Sequence, residues 1–285
     1  MEGRRVRRRA GDLLAKALLW LCGCAAAALL LAAAGYVCFR GAPGLSLSFL
    51  TEEESALRGT AGILPAVVNT LFVIAVSLAV VLPLGVGAAV YLTEYARNRW
   101  LAGIVEFAAG VLAGIPSILY AMIGALVFCD KLGLGRTLLA GALTMAVMNL
   151  PTVLRTTQES LRAAPASCRE GALGLGAGKW FMIRTVVLPA SRDGIVTGCI
   201  LAAGRVVGET AVLLYTAGLS TAMQDFSSLR GMARASGATL SAALYVYAKE
   251  RADFSAAFAV AAVLLGIAVA INLAASALGR RGRRG

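Results

Sequence analysis

Arg205 and Glu209 stand inside an otherwise apolar run, GRVVGETAVLL, at positions 204–214. An ionisable side chain at bilayer depth costs roughly 2.5–3.5 kcal/mol on insertion scales, which makes it a functional candidate by default. A guanidinium stays charged and offers a planar fork of donors that matches a tetrahedral oxyanion. A spacing of four places the two residues on one helix face. Two readings stay open. The pair neutralises itself and fixes packing, or Arg205 faces a translocation path and meets an anion, with Glu209 holding it when no anion is present. Asn69, Thr70, Ser117 and Asn149 are uncharged polar residues in other apolar runs. Such groups cap broken helices or bond neighbouring ones, and they are also candidates to line a path; Asn272 reads as structural. Gly204 and Gly208, like Gly194 and Gly198, have the small-xxx-small spacing that lets another helix approach closely.

Other chemistry lacks its parts. There is no histidine, the commonest general base and metal ligand. The six cysteines, Cys22, Cys24, Cys38, Cys129, Cys168 and Cys199, form no C-x-x-C pair. They read as small apolar fillers, so neither a metal site nor a cofactor is expected. The segment LGLGAGKW (173–180) has a faint likeness to a phosphate-binding loop, but it lacks the first glycine and the Ser or Thr after Lys179. With no nucleotide motif and no nucleophile–base pair, the chain is not expected to be an enzyme.

The elements that must carry these residues are membrane spans. Of 285 residues, 59% are hydrophobic and 15% charged, whereas soluble domains run nearer half apolar and about a quarter charged. The net charge of +12 and the RRVRRR run at 4–9 could suit nucleic acid. Basic cytoplasmic flanks next to anionic lipid explain them better. The first apolar run is long, without a clear small-residue cleavage site, and reads as a retained anchor.

Six spans are expected, at about 17–39, 63–92, 101–128 with Pro116 near the middle, 137–154 interrupted by Asn149 and Pro151, 194–219, and 256–278. The first carries no charge and is long enough to cross ~30 Å of hydrocarbon. A polar segment with Glu52, Glu53 and Glu54 follows the first span, and a helix near 240–250 is expected in the last long loop. With the N-terminus inside, 18 of the 27 Lys and Arg lie on inside segments and 8 outside. That bias puts both termini in the cytoplasm. The divisions are a cytoplasmic basic tail (1–16), a first span with its extracytoplasmic loop (17–62), a core (63–278) with a cytoplasmic loop at 155–193, and a second basic tail (279–285).

Within that loop, PASCREGALGLGAGKWFMIRTVVLP (165–189) carries helix punctuation of its own. Pro165 stops the preceding helix. Ser167 and Glu170 have capping-box spacing. Gly174, Gly176 and Gly178 should end the new helix within about two turns. An ordinary loop helix would fit these features too. The stretch also resembles the EAA loop of ABC-importer permeases, roughly E-A-A-x3-G-x9-I-x-L-P. Glu170, Ala172, Gly176, Leu188 and Pro189 fall on the pattern, while Gly171 replaces an alanine and Val186 the isoleucine. GIPSILYAM (114–122), NLPTVLRTTQESLRAAP (149–165) and GRVVGETAVLLYTAG (204–218) are similar to phosphate-importer permeases, and the likeness covers 63–278.

The resemblance implies an all-α polytopic fold, the six-span type I ABC importer permease (MetI-like) fold, in a bacterial cytoplasmic membrane. It implies that Ser167, Arg169, Glu170, Gly171, Ala172, Gly176, Leu188 and Pro189 belong to a coupling helix and loop that dock on a separate ATPase, whose closure would flip the pathway. It implies phosphate import with a homologous permease subunit, a dimeric ATP-binding subunit and an extracytoplasmic phosphate-binding protein, with no nucleic acid involved. A permease for sulfate, molybdate or another solute stays open, as does a carrier working without ATP.

Overall fold

The computed structural model describes residues 2–53, 62–96, 98–222 and 229–282, and no strand occurs among the described residues. Glu54 of the acidic triplet and Arg97 lie outside them. Helix α1 (Glu2–Gly41) has an apolar part that buries nothing against the rest of the chain. It meets the body only near its end, where Tyr36 packs edge-on against Phe258 with ring centroids 5.7 Å apart. Helix α2 (Leu64–Val90) starts with Pro65 in its first turn, where a missing N–H costs nothing. A π-helical turn, Tyr91–Tyr95, extends it. Helix α3 (Arg99–Gly114) is capped by Asn98, whose Oδ1 accepts from the Trp100 N–H at 3.0 Å. Helix α4 (Ser117–Gly124) continues as a π-helical segment to Lys131. Helix α5 (Leu138–Ala163) is capped by the Thr137 hydroxyl.

The two membrane prolines expected to interrupt spans behave differently. At Pro116 the chain breaks: α3 and α4 are bent by 103°, so the third span is a broken pair rather than one rod. Proline disfavours the helical region for the residue before it, and Ile115 is extended, with φ −72° and ψ 129°. Pro151 lies within α5 without breaking it, and α5 runs nine residues beyond the expected limit of 154. Pro116 is exposed and Pro151 buried. Pro83, which is exposed, likewise lies within α2 without breaking it, so burial alone does not separate the two outcomes. The loop after α5 is therefore shorter than 155–193.

That loop contains helix α6 (Ala166–Gly174) and helix α7 (Lys179–Met182), which continues by a π turn to Ala190. Helix α8 (Arg192–Gly208) is bent by 65° from the segment before it. Helix α9 (Ala211–Thr216) follows a break, so the expected fifth span also comes in pieces. Helix α10 (Leu240–Tyr245) appears where a loop helix was expected and is prolonged to Glu250; α11 (Phe254–Gly282) is the last span. Four helices are long and apolar enough to cross a membrane, and counting each bent pair as one span gives six.

Four apolar clusters build the core, and α2 supplies all of them: Ala66, Val73, Val81 and Ala89 sit in different clusters. Helix α5 joins three, through Leu138, Ala146 and Leu154.

Between α9 and α10, the segment 235–241 threads through the core. The Gly237 N–H bonds the Ala217 carbonyl at 3.0 Å and the Ala238 N–H bonds that of Ser220 at 2.8 Å. Asn69 Nδ2 donates to the Ala238 carbonyl at 3.0 Å, and the Leu240 N–H donates to Thr70 Oγ1 at 2.9 Å. From there α10 runs back toward the start of α2, where the Tyr247 hydroxyl donates to the Gly62 carbonyl at 3.4 Å. Burial, and then the nearby Asp253, raise the Tyr247 phenol above its usual pKa, so it stays a donor.

Glycine is required at 237, because a Cβ there would stand 2.5 Å from Asn69 Nδ2. Gly237→Ala is expected to lower the thermal unfolding midpoint in detergent by roughly 3–8 °C. Gly103→Ala, where a Cβ meets nothing within 4 Å, should leave the midpoint unchanged or raise it.

Candidate functional site

Two regions carry the functional side chains: the end of α8 and the loop 164–191. Helix α8 approaches α5 closely because it can. A Cβ on Gly194 would overlap Ser160 and one on Gly198 would overlap Thr156. Ser160 Oγ donates to the Ser191 carbonyl at 2.8 Å and Ser191 Oγ to the Ser160 carbonyl at 3.2 Å, a reciprocal clasp. Gly204 and Gly208 do not repeat this. No atom comes within 4 Å of a Cβ at either, and both line an apolar groove of about 490 Å³ with Ala33, Val37, Leu264 and Ala268.

The helix ends at Gly208, and Glu209 is extended with φ −84° and ψ 114°. The neutralising pair, one of the two readings of Arg205 and Glu209, does not form here although Glu209 directly follows the last helical turn. Both are half-buried. Neither side chain has an ion-pair or hydrogen-bond partner among the described residues. The Glu209 carbonyl, released by the break, accepts from Ser241 Oγ at 2.8 Å.

The uncharged polar residues sit mostly inside the packing. Asn69, Thr70 and Asn149 are buried within the chain. Asn69 and Thr70 hold the 235–241 segment, and Asn149 Nδ2 reaches the Ala202 carbonyl of α8 at 3.4 Å. The Oδ1 atoms of Asn69 and Asn149 have no partner among the described residues. Ser117, half-exposed, opens α4 just past the Pro116 break. These residues tie elements together in this conformation; only Ser117, Arg205 and Glu209 present surface.

In the loop, Pro165 occupies the cap position of α6 and no side chain caps its N-terminus. The Ser167–Glu170 capping box does not form, because the helix begins one residue before Ser167 and leaves that side chain inside the first turn. The C-terminus is as expected. Gly176 has φ +80°, its N–H bonds the Leu173 carbonyl at 2.9 Å, and the Ala177 N–H bonds that of Ala172 at 3.1 Å. This is the paired-bond stop that favours glycine.

Ser167, Glu170, Gly171 and Gly176 are exposed, Leu188 is half-buried and Pro189 exposed. Leu173 and Leu175 project outward, Leu175 at 91% exposure. Arg169 and Ala172 face the other way. Arg169 Nε donates to Glu94 Oε1 at 3.1 Å, Nη1 to the Ala164 carbonyl at 2.8 Å, and Nη2 to the Leu161 carbonyl. Sequence reasoning missed Glu94, in LTEYARNR (92–99), which reads as a short polar turn; its signal was an acid in a turn expected on the same side of the membrane as the basic loop. Lys179 lies over the Tyr95 ring, 4.9 Å from its centroid.

The chain matches the family described as "Binding-protein-dependent transport system inner membrane component" over residues 81–284. It is 36% identical over 222 residues to the "Probable ABC transporter permease protein YqgI" of Bacillus subtilis (strain 168), covering 78% of this chain and 76% of that one. It is 35% identical over 219 residues to "Phosphate transport system permease protein PstA 1" of Mycobacterium tuberculosis (strain CDC 1551 / Oshkosh), covering 75% and 69%. Among solved structures, it resembles an inward-facing MetNI methionine ABC transporter chain with a TM-score of 0.60, at 18% identity over 78% of this chain and 94% of that one. A chain of the bacterial alginate ABC transporter, in complex with an alginate-bound periplasmic protein, gives a TM-score of 0.60 at 16% identity, covering 86% of each.

Ser167→Ala is expected to change the thermal midpoint by no more than about 0.5 kcal/mol equivalent, because that hydroxyl caps nothing. Gly176→Ala is expected to cost about 1–2 kcal/mol through its positive φ. Thermal unfolding of the two variants checks both, and equal losses would restore the capping box.

Proposed function

We infer the function from one premise: the chain belongs to the family of binding-protein-dependent transport system inner membrane components. It is a multi-pass membrane protein and a permease subunit of an ABC importer, a transport component rather than an enzyme. Such a permease works with an ATPase and a substrate-binding protein.

We propose that its substrate is phosphate. The observation that carries this is Arg205, a permanent cation on a membrane helix that forms no ion pair with its neighbouring acid, Glu209. A charge without a committed acid partner is free to meet an anion, and the guanidinium fork suits a tetrahedral one. Relatives named as phosphate transport permeases support the choice among oxyanions. The pathway is proposed to form with a homologous permease subunit, fed by an extracytoplasmic phosphate-binding protein. Both termini and the 164–191 loop are proposed to be cytoplasmic, in keeping with the excess of Lys and Arg on those segments. The exposed face of α6, with Glu170, Leu173 and Leu175, is proposed to seat on a dimeric ATP-binding subunit.

Uptake of labelled phosphate, in cells whose only importer contains this subunit, is expected to depend on ATP and to be blocked by arsenate but not by sulfate or molybdate. Competition by sulfate or molybdate would move the substrate to another oxyanion. Arg205→Gln is expected to lower uptake at least about 100-fold while the complex still assembles; normal uptake would take Arg205 out of the pathway.

A further inference from the structure

We propose that Arg169 and Glu94 form the strut through which the loop helix moves the membrane helices, with Arg169 as a positioning residue for transport. The proposal rests on the reading of the chain as an ATP-driven permease and is independent of the substrate.

Helix α6 buries no residue. Its inward contacts come from two side chains, Ala172, which packs against the cytoplasmic-side cluster, and Arg169. The small Ala172 resists compression but cannot pull. Arg169 holds three groups at once. Two are carbonyls at the end of α5, Leu161 and Ala164, where a helix leaves acceptors without intrahelical donors and favours a cation. The third is the Glu94 carboxylate, with Nη2 and Oε1 3.0 Å apart.

This pair is set apart by burial. The Arg169 and Glu94 side chains are 21% and 8% exposed, against 60% and 49% for the Arg162–Glu106 pair. Weaker screening by water makes the former a firmer link. Glu94 lies on the π-helical turn that prolongs α2. One guanidinium thus joins α6 to the cytoplasmic-side ends of α2 and α5. These two helices hold Asn69, Thr70 and Asn149 farther along. Lysine has a single ammonium and cannot reproduce the planar three-way geometry. A push or pull on α6 therefore reaches both helices without passing through a flexible segment.

The test uses the assembled complex of permeases and ATPase in lipid nanodiscs, with its binding protein. Glu94→Gln keeps the shape and removes the charge; Arg169→Gln removes the fork. Both are expected to leave yield and basal ATPase within about two-fold of the parent. Stimulation of the ATPase by the loaded binding protein, and substrate moved per ATP, are expected to fall at least about five-fold. Arg169→Lys, which keeps the ion pair but not both carbonyl bonds, should be intermediate. Unchanged substrate per ATP in the two Gln variants would overturn the proposal. So would a loss of ATPase and transport in equal proportion, which a purely structural pair predicts. Should the Gln variants fail to assemble, Arg169→Lys decides: parental coupling refutes the strut and reduced coupling supports it. Stimulation is read with whichever substrate loads the binding protein, so a complex that ignores phosphate refutes that assignment and leaves this one measurable.

Discussion

Inside hydrocarbon, a backbone N–H or C=O with no partner costs several kcal/mol, so each break in a membrane helix must be answered by another part of the chain. Among the described residues, apolar helices break at Pro116 and at Glu209, and a non-helical segment threads beside the second break. At Pro116, the Tyr120 hydroxyl donates to the Leu112 carbonyl at 2.7 Å. At Glu209, Ser241 supplies the donor. The threaded segment 235–241 is met by Asn69, Thr70 and the backbone of the α9 end. Polar side chains from three separate helices thus become one set, each meeting backbone that irregular geometry exposed.

Arg205 is the polar group left over from that repair. Asn69, Thr70 and Ser241 have backbone to hold, whereas the guanidinium has no backbone carbonyl or carboxylate within bonding distance among the described residues. Glu209 follows directly on the last turn of α8, yet no ion pair joins it to Arg205, so the cation is not neutralised among the described residues.

Much of this was legible in the sequence, and what was not has a common cause. The spans followed from apolar length, and the loop helix was located by its proline and glycines. Gly176 needs no tertiary information, since a left-handed stop is set by the residue itself. Pro116 follows a helix end whereas Pro83 and Pro151 lie inside continuous helices, and since Pro83 is exposed and Pro151 buried, burial alone does not separate the outcomes. Gly194 and Gly204 sit in the same motif, yet only Gly194 has α5 beside it. The Ser167–Glu170 spacing failed for a smaller reason: the helix starts at Ala166, two positions before the box needs it to. Glu94 was invisible because its partner is 75 residues away.

Helix α5 gives these pieces a mechanical order. It is continuous through Pro151. At one end its terminal carbonyls are gripped by Arg169, and alongside, the Ser160–Ser191 clasp and the glycine contacts lock it to α8. Asn149 adds a second tie to α8 at Ala202. Arg205 lies fourteen residues beyond Ser191, about 21 Å along the helix at 1.5 Å per residue. The ties from α6 to α5 and from α5 to α8 thus give the loop a packed route to Arg205, although α8 is bent by 65° from the segment before it, and the helix breaks again just past the charge.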